Sequence, residues 1–343
     1  MKIKIGNKIV AVFSWFIRIG LSAVLVIFLC VAPFTLLPNI LQAQADINKK
    51  EEYVYQGILE LWHIETFEGG SASRLGFLER EAINFEKTYK GTYIVVQSMS
   101  AEQFALNYQN GKLPNMISFG IGLGDEFTDA LIELDTENLR QDVCAGGKFN
   151  SKNLALPYIL GGYAVISNGV GLSGTGLKGT NNGLKALEKN NMQISNLYDC
   201  ESLDSYDAYD KFIKNNFQTL IGTQRDVYRC FNRQQKGLMN NLTYTFLPKY
   251  TDLVQYISVC KSTAIEEKIC KEFVSQLLSI ETQQKLKSYN LFSPLNNIQL
   301  YTDGIYAEFE KTLNQNLMVE NVFLSKEQIQ SQKSEAYKNV VKS

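Results

Sequence analysis

One histidine, His63, and two tryptophans, Trp15 and Trp62, occur in 343 residues, and no two cysteines form a CxxC pair. That scarcity argues against a zinc centre built on Cys and His. His63 has no Ser or Cys nucleophile motif and no second acid partner beside it, so it is expected to be a packed or hydrogen-bonded side chain rather than a base. Positive charge is not in excess either: 34 Lys and Arg stand against 35 Asp and Glu. A nucleic-acid footprint needs a clustered basic face, which this balance does not offer. The GxG spacings of GVGLSGTGLKGTNNG, 169–183, lack the Lys-Ser/Thr of a P-loop and its strand-to-helix setting, so the segment reads as loop.

Acidic residues are missing altogether before Asp46. Lys2, Lys4, Lys8 and Arg18 precede an uncharged run from Ile19 to Ala45 that contains LSAVLVIFLCVA and closes on Ala43-Gln44-Ala45. This predicts an export segment over 1–45. Two readings of it stand: cleavage after Ala45, or an uncleaved anchor, since a run of about 20 apolar residues spans a bilayer. A lipoprotein cysteine at Cys30 would follow the bulky Leu29, where a small residue is required. The exported part carries 30 basic and 35 acidic residues, a net charge of −5, and at about 298 residues suits two lobes better than one core. Of its cysteines, Cys260 and Cys270 are the nearest pair in sequence, with Cys144, Cys200 and Cys230 beyond them. Either one or two disulfides form, leaving an odd thiol, or the thiols are buried as small hydrophobes.

From Glu51 onward strand and helix patterns alternate. Apolar runs predict strands at Ile58 to Ile64, Tyr93 to Gln97 and Met116 to Ile121. Between them, Leu75, Leu78, Ala82, Phe85 and Tyr89 give a helix over Arg74 to Tyr89, and Ser100 with Gln103 caps a shorter one. This order predicts βαβ units, a parallel sheet, and strand carboxyl ends gathered on one rim. The stretch LWHIETFEGGSASR, 61–74, is then a strand running through a glycine turn into a helix, where open α/β sheets place ligands. Trp62, His63, Glu65, Phe67 and Glu68, aromatic and hydrogen-bonding groups, stand in that stretch as candidates.

Downstream, Pro157 and Gly161-Gly162 interrupt ALPYILGGYAVISN, 155–168, as expected where a strand bends on leaving one lobe for another. Helices are expected near Leu184 to Asn190, Tyr206 to Asn215, Lys271 to Lys287, Ile305 to Leu313 and Gln328 to Val341, the last capped by Ser325 and Gln328. FQTLIGTQRDVYRC, 217–230, reads as a strand.

The export segment, the aromatic and acidic turn after the first strand, PYILGGYAVISN, GTQRDVYR, and YISVCKS followed by EFVSQLLSIETQQKLKSYNLFSPL occur in one order. In that order the chain resembles the extracellular solute-binding proteins of ABC importers, in particular the maltodextrin-binding-like branch. The resemblance implies an α/β, two-lobed periplasmic-binding-protein-like fold (type II), each lobe a mainly parallel sheet flanked by helices with the ligand cleft between. It implies a first lobe of 53–154 plus 252–300 and a second of 155–251 plus 301–343. It also implies a protein without catalysis or cofactor that hands a sugar-like solute to a membrane permease outside the cytoplasm. Carried onto this chain, the ligand set is Glu65, Phe67 and Glu68 from the first lobe, with Tyr158, Tyr163, Gln224, Arg225, Asp226 and Tyr228 from the second. Where relatives stack a tryptophan on a sugar ring in the last of these segments, this chain has none, and Tyr228 takes that place. The alternatives are an exported enzyme on the same scaffold, with Glu65 or Glu68 as base and a cysteine nucleophile, and an anchored surface sensor.

Overall fold

A computed structural model describes residues 20–22, 55–64, 73–169, 174–178, 182–200, 207–239, 241–314 and 316–342. Residues 1–54 form a unit of their own, in which the described residues 20–22 are helical. The rest of the export-segment reading, and Glu65, Phe67 and Glu68, lie outside the described residues. Among the described residues no helix is long and apolar enough to cross a membrane.

From Tyr55 the chain builds β1 (Gly57–Ile64), α1 (Arg74–Thr88), β2 (Thr92–Met99), α2 (Ala101–Gln109) and β3 (Met116–Phe119). The apolar run of β1 seats Leu59, Leu61, Trp62 and Ile64 in the interior, while Ile58 at its amino end is exposed. Double cover therefore holds only over the carboxyl half of the strand. Ser73 caps α1, its hydroxyl accepting from the Gly76 amide, and the helix buries Phe77, Leu78, Ala82 and Phe85 at helical spacing.

The chain continues through β4 (Leu156–Leu160), β5 (Tyr163–Ser167), β6 (Thr175–Lys178), α3 (Gly183–Lys189), β7 (Leu197–Cys200), α4 (Asp207–Ile213), β8 (Thr219–Thr223) and α5 (Gln224–Gln235). It closes with β9 (Thr243–Phe246), β10 (Val254–Val259), α6 (Ala264–Leu277), α7 (Ile280–Gln284), α8 (Gly304–Leu313) and α9 (Lys326–Val340).

Two five-stranded sheets result, ordered β2-β1-β3-β10-β4 and β7-β6-β8-β5-β9. Each is parallel over its first three strands and antiparallel over the remaining pairings. The chain leaves the first sheet at Gly161-Gly162 and returns to it between β9 and β10. Space is tight there: a Cβ on Gly161 would lie 2.7 Å from Gln224 Oε1, and one on Gly162 would lie 2.8 Å from a Leu313 methyl, so a larger residue would displace those side chains. Pro157 sits beside the β10 irregularity at Gln255/Tyr256, a position where its missing N–H costs no ladder bond.

Four sequence expectations need correction. Strand β4 pairs with β10 in the first sheet, although 155–160 was read with the second lobe. The loop reading of 169–183 fails at Thr175–Lys178, which pairs parallel with both β7 and β8. The strand reading of 217–230 holds only for Thr219–Thr223: there Thr223 caps a helix, its hydroxyl and amide engaged with Asp226 in a capping box, so Gln224, Arg225, Asp226 and Tyr228 are helical. Likewise α6 starts at Ala264, because Thr263 and Glu266 form a capping box seven residues before Lys271. Ser325 and Gln328 do cap α9.

One large apolar cluster fills the first sheet and continues under the second through Ala164, Ile166, Phe212, Leu220 and Val227. Phe246 stacks on Phe309 at 4.3 Å, and Phe309 meets Phe292 edge-on at 5.1 Å, so aromatic packing on α8 joins the two sheets. A separate, smaller cluster lies between the second sheet and helices α3 and α9, around Tyr163, Leu177, Leu184, Leu187, Ala336 and Val340.

Candidate functional site

The carboxyl ends of the first-sheet strands carry a buried polar chain. His63 of β1 meets Ser118 of β3 through Nδ1 and Oγ at 2.9 Å. Ser118 Oγ also lies 2.7 Å from the Tyr158 hydroxyl of β4 and accepts from Gln255 Nε2 of β10 at 3.0 Å. Gln255 Oε1 accepts from Arg74 Nη1 at 2.6 Å. Four adjacent strands and the start of α1 thus each contribute one side chain, and all five residues are buried. Burial first, and then the nearby Arg74 charge, lower the His63 pKa to about 3, so the ring is neutral at any ordinary pH. Trp62 Nε1 and His63 Nε2 find no partner among the described residues, and the Trp62 ring packs edge-on to Phe104.

The second-lobe candidates cluster where the chain crosses. Tyr163 opposes Thr223 in the β5–β8 register, which brings it beside the first turn of α5. Its hydroxyl donates to Asp252 Oδ1 at 2.5 Å. Gln224 is fully buried: Oε1 accepts from the Gly162 amide at 3.0 Å, its own amide donates to the Gly162 carbonyl, and its carbonyl accepts from Tyr306 at 2.6 Å. Asp226, also buried, accepts from the Thr223 amide at 3.0 Å and pairs with Arg229 at 3.7 Å. Arg225 and Tyr228 are half-buried on the same turn. The structure therefore brings Tyr163, Gln224, Arg225, Asp226 and Tyr228 together, and holds Tyr158 apart in the first-sheet chain. Tyr158, Tyr163 and Asp226 spend their hydrogen bonds on the protein's own framework, Gln224 keeps a buried Nε2 with no partner among the described residues, and Arg225 and Tyr228 have accessible surface.

Sequence reasoning missed Arg74, Ser118, Gln255, Asp252 and Tyr306. Only Arg74 carried a local signal, as the first residue of a helix following a glycine turn.

Two further features bear on chemistry. Cys144, Cys260 and Cys270 are free and buried, and burial pushes the Cys144 and Cys260 thiols up to about 12 and raises Cys270 further, the reverse of what a nucleophile needs. Among the described residues no three His, Cys, Asp or Glu side chains are grouped to hold a metal ion. A groove of 560 Å³ lies between α6, α7 and the 134–138 loop, floored by Leu134, Leu156 and Leu295, and no candidate ligand residue lines it.

Two sheets, each of three parallel strands followed by two antiparallel pairings and joined by crossings that run side by side, define the two-lobed fold of the periplasmic binding proteins. Comparison with solved structures agrees. The chain superposes on the GacH receptor of Streptomyces glaucescens, solved unliganded and with acarbose, with a TM-score of 0.56 and 12% identity, covering 83% of this chain and 98% of that one. The sugar-binding protein MalE from Xanthomonas citri gives 0.61 at 10% identity, covering 82% and 91%. Thiaminase I from Bacillus thiaminolyticus gives 0.55 at 12% identity, covering 82% and 98%. No family model and no curated relative matches the chain. The structural neighbours are mostly maltose- and maltodextrin-type substrate-binding proteins, and thiaminase shows that the same scaffold also carries an enzyme.

Proposed function

We propose that this protein is an exported solute-binding protein of an ABC importer, which captures an oligosaccharide or related polyol between its lobes and delivers it to a membrane permease. The observation that carries the reading is the superposition of 82–83% of the chain on a receptor solved with acarbose and on a sugar-binding protein. The proposed ligand set takes Glu65, Phe67 and Glu68, which lie outside the described residues, together with Arg225 and Tyr228 on α5. Tyr158, Tyr163, Gln224 and Asp226 complete the set. Sugar hydroxyls both donate and accept, which suits carboxylates and a guanidinium, while the Phe67 and Tyr228 rings cover the apolar C–H face. Each such bond contributes about 0.5–1.5 kcal/mol, or about 1.5–3 with a charged partner, so several must converge. Catalysis by Cys144, Cys260 or Cys270 is disfavoured by their buried, raised thiols.

Thermal denaturation against a panel of maltodextrins, other sugars, polyols, amino acids and anions tests this. A true ligand at hundredfold excess over Kd adds about 2.7 kcal/mol. No shift with any sugar or polyol, alongside a clear shift with an amino acid or anion, would move the assignment to another solute class.

A further inference from the structure

Where the chain crosses between the sheets, its segments are laced by buried polar groups. Thr251 Oγ1 donates to the Gly161 carbonyl at 3.0 Å, and the Gly161 amide donates to the Leu253 carbonyl at 2.6 Å, so 161–163 and 251–253 run side by side. The Glu320 amide donates to the Thr251 carbonyl, which adds the segment leading to α9. Among these strands sits Asp252, 4% exposed. Its Oδ1 accepts from the Tyr163 hydroxyl at 2.5 Å and its Oδ2 from the Asn182 amide at 3.1 Å. Tyr163 begins β5 and Asn182 precedes α3, so both donors belong to the second lobe and pin the crossing to it.

No cation pairs with Asp252 among the described residues. The nearest charge is Glu320, which is paired with Lys185 of α3 and accepts from the Tyr250 hydroxyl at 2.9 Å. From α9, neutral Gln332 accepts from Asn182 Nδ2 at 3.2 Å, and Asn182 Nδ2 also donates to Tyr250. Around the carboxylate stand two tyrosines, an amide and a second carboxylate whose one cation is already engaged. Burial works against the ionised form and outweighs the hydrogen bonds from Tyr163 and Asn182 that favour it, with Glu320 adding to burial, so Asp252 is pushed up to about 6.

We propose that Asp252 is a proton-controlled latch on the interlobe crossings: its protonated form holds the described arrangement, and its ionised form favours arrangements in which water reaches the carboxyl group. Opening the crossings hydrates Asp252, returns it to the ordinary Asp range and releases one proton to solvent. Acid therefore tightens the hinge, and neutral pH frees it. This rests on the fold and not on the identity of the ligand, so it stands or falls separately from sugar binding.

Amide hydrogen exchange on the full, ligand-free chain tests it, with rates corrected for the intrinsic effect of pH. Protection at the Asn182 amide is expected to rise roughly tenfold from pH 7 to pH 5, while amides of β3 do not rise with it. The Asp252→Asn variant should hold high protection at both pH values. Glu320→Gln, which keeps Asp252 but removes its neighbouring charge, should move the rise to lower pH. A flat Asn182 response, an equal rise throughout the first sheet, or a wild-type pH response retained in Asp252→Asn would overturn the latch. Should Asp252→Asn not fold, Glu320→Gln decides: an unmoved midpoint contradicts the proposal.

Discussion

Both sheets run three parallel strands into two antiparallel pairings, but the buried polar groups at their inner edges differ in kind. The first sheet buries an imidazole, a hydroxyl, a phenol and an amide that bond one another. The second buries Asp252, which has no cation partner among the described residues, near Glu320, which pairs with Lys185. The same scaffold thus answers to pH with opposite signs. His63 is depressed, so its contribution is present above the ordinary histidine range and is lost as pH falls from about 6.5 toward 3. Asp252 is raised, so its contribution is complete below the ordinary Asp range and is lost as pH rises from about 4 to 6.

The largest expected effect tests how the core is shared. Phe273 is fully buried and meets Phe85 edge-on at 5.4 Å in the cluster that underlies both sheets. Phe273→Ala should cost about 3–5 kcal/mol in urea unfolding and lower the transition of both lobes together. A loss confined to the first lobe would show that the cores are energetically separate. Next, Ser118→Ala strips His63, Tyr158 and Gln255 of their common partner and should cost about 1–3 kcal/mol.

The helix caps provide a matched pair. Thr223→Ala removes the buried cap of α5 and should cost about 1–2 kcal/mol, and Thr263→Ala, at the exposed cap of α6, about 0.5–1. Equal losses would mean that burial of the Asp226 carboxylate adds nothing to the cap. The smallest effect is the pH comparison itself. Between pH 6 and pH 4 the two lobes should change in opposite directions and largely offset in global stability, and His63→Gln should unmask a net gain in acid. A global curve that falls in acid in both proteins would break the comparison.

The sequence carried the elements whose signals are local. The apolar runs of β1 and β3, the spacing of Phe85 and Leu78 in α1, the Gly161-Gly162 bend and the Ser325 cap were all legible because neighbouring residues determine them. Strand β6 was not, because Thr-Gly-Leu-Lys has no apolar alternation and becomes a strand through partners at 197–200 and 219–221. The site was harder for the same reason. Tyr158 and Gln224 have the chemistry of ligand contacts, but Ser118, Gly162 and Tyr306 engage them from distant parts of the chain, and sequence does not say which way such a group turns. Asp252 passed unnoticed since its hydroxyl donor is 89 residues earlier, and Arg74 finds Gln255 181 residues later.

The central claim is capture of a solute between two lobes, and native mass spectrometry of the full chain isolated from its own cells tests it most directly. The account predicts a complex heavier than the polypeptide by one small solute, released on denaturation with the mass and fragmentation of an oligosaccharide or polyol. A ligand-free spectrum that stays ligand-free after incubation with a broad panel of sugars and polyols would contradict it.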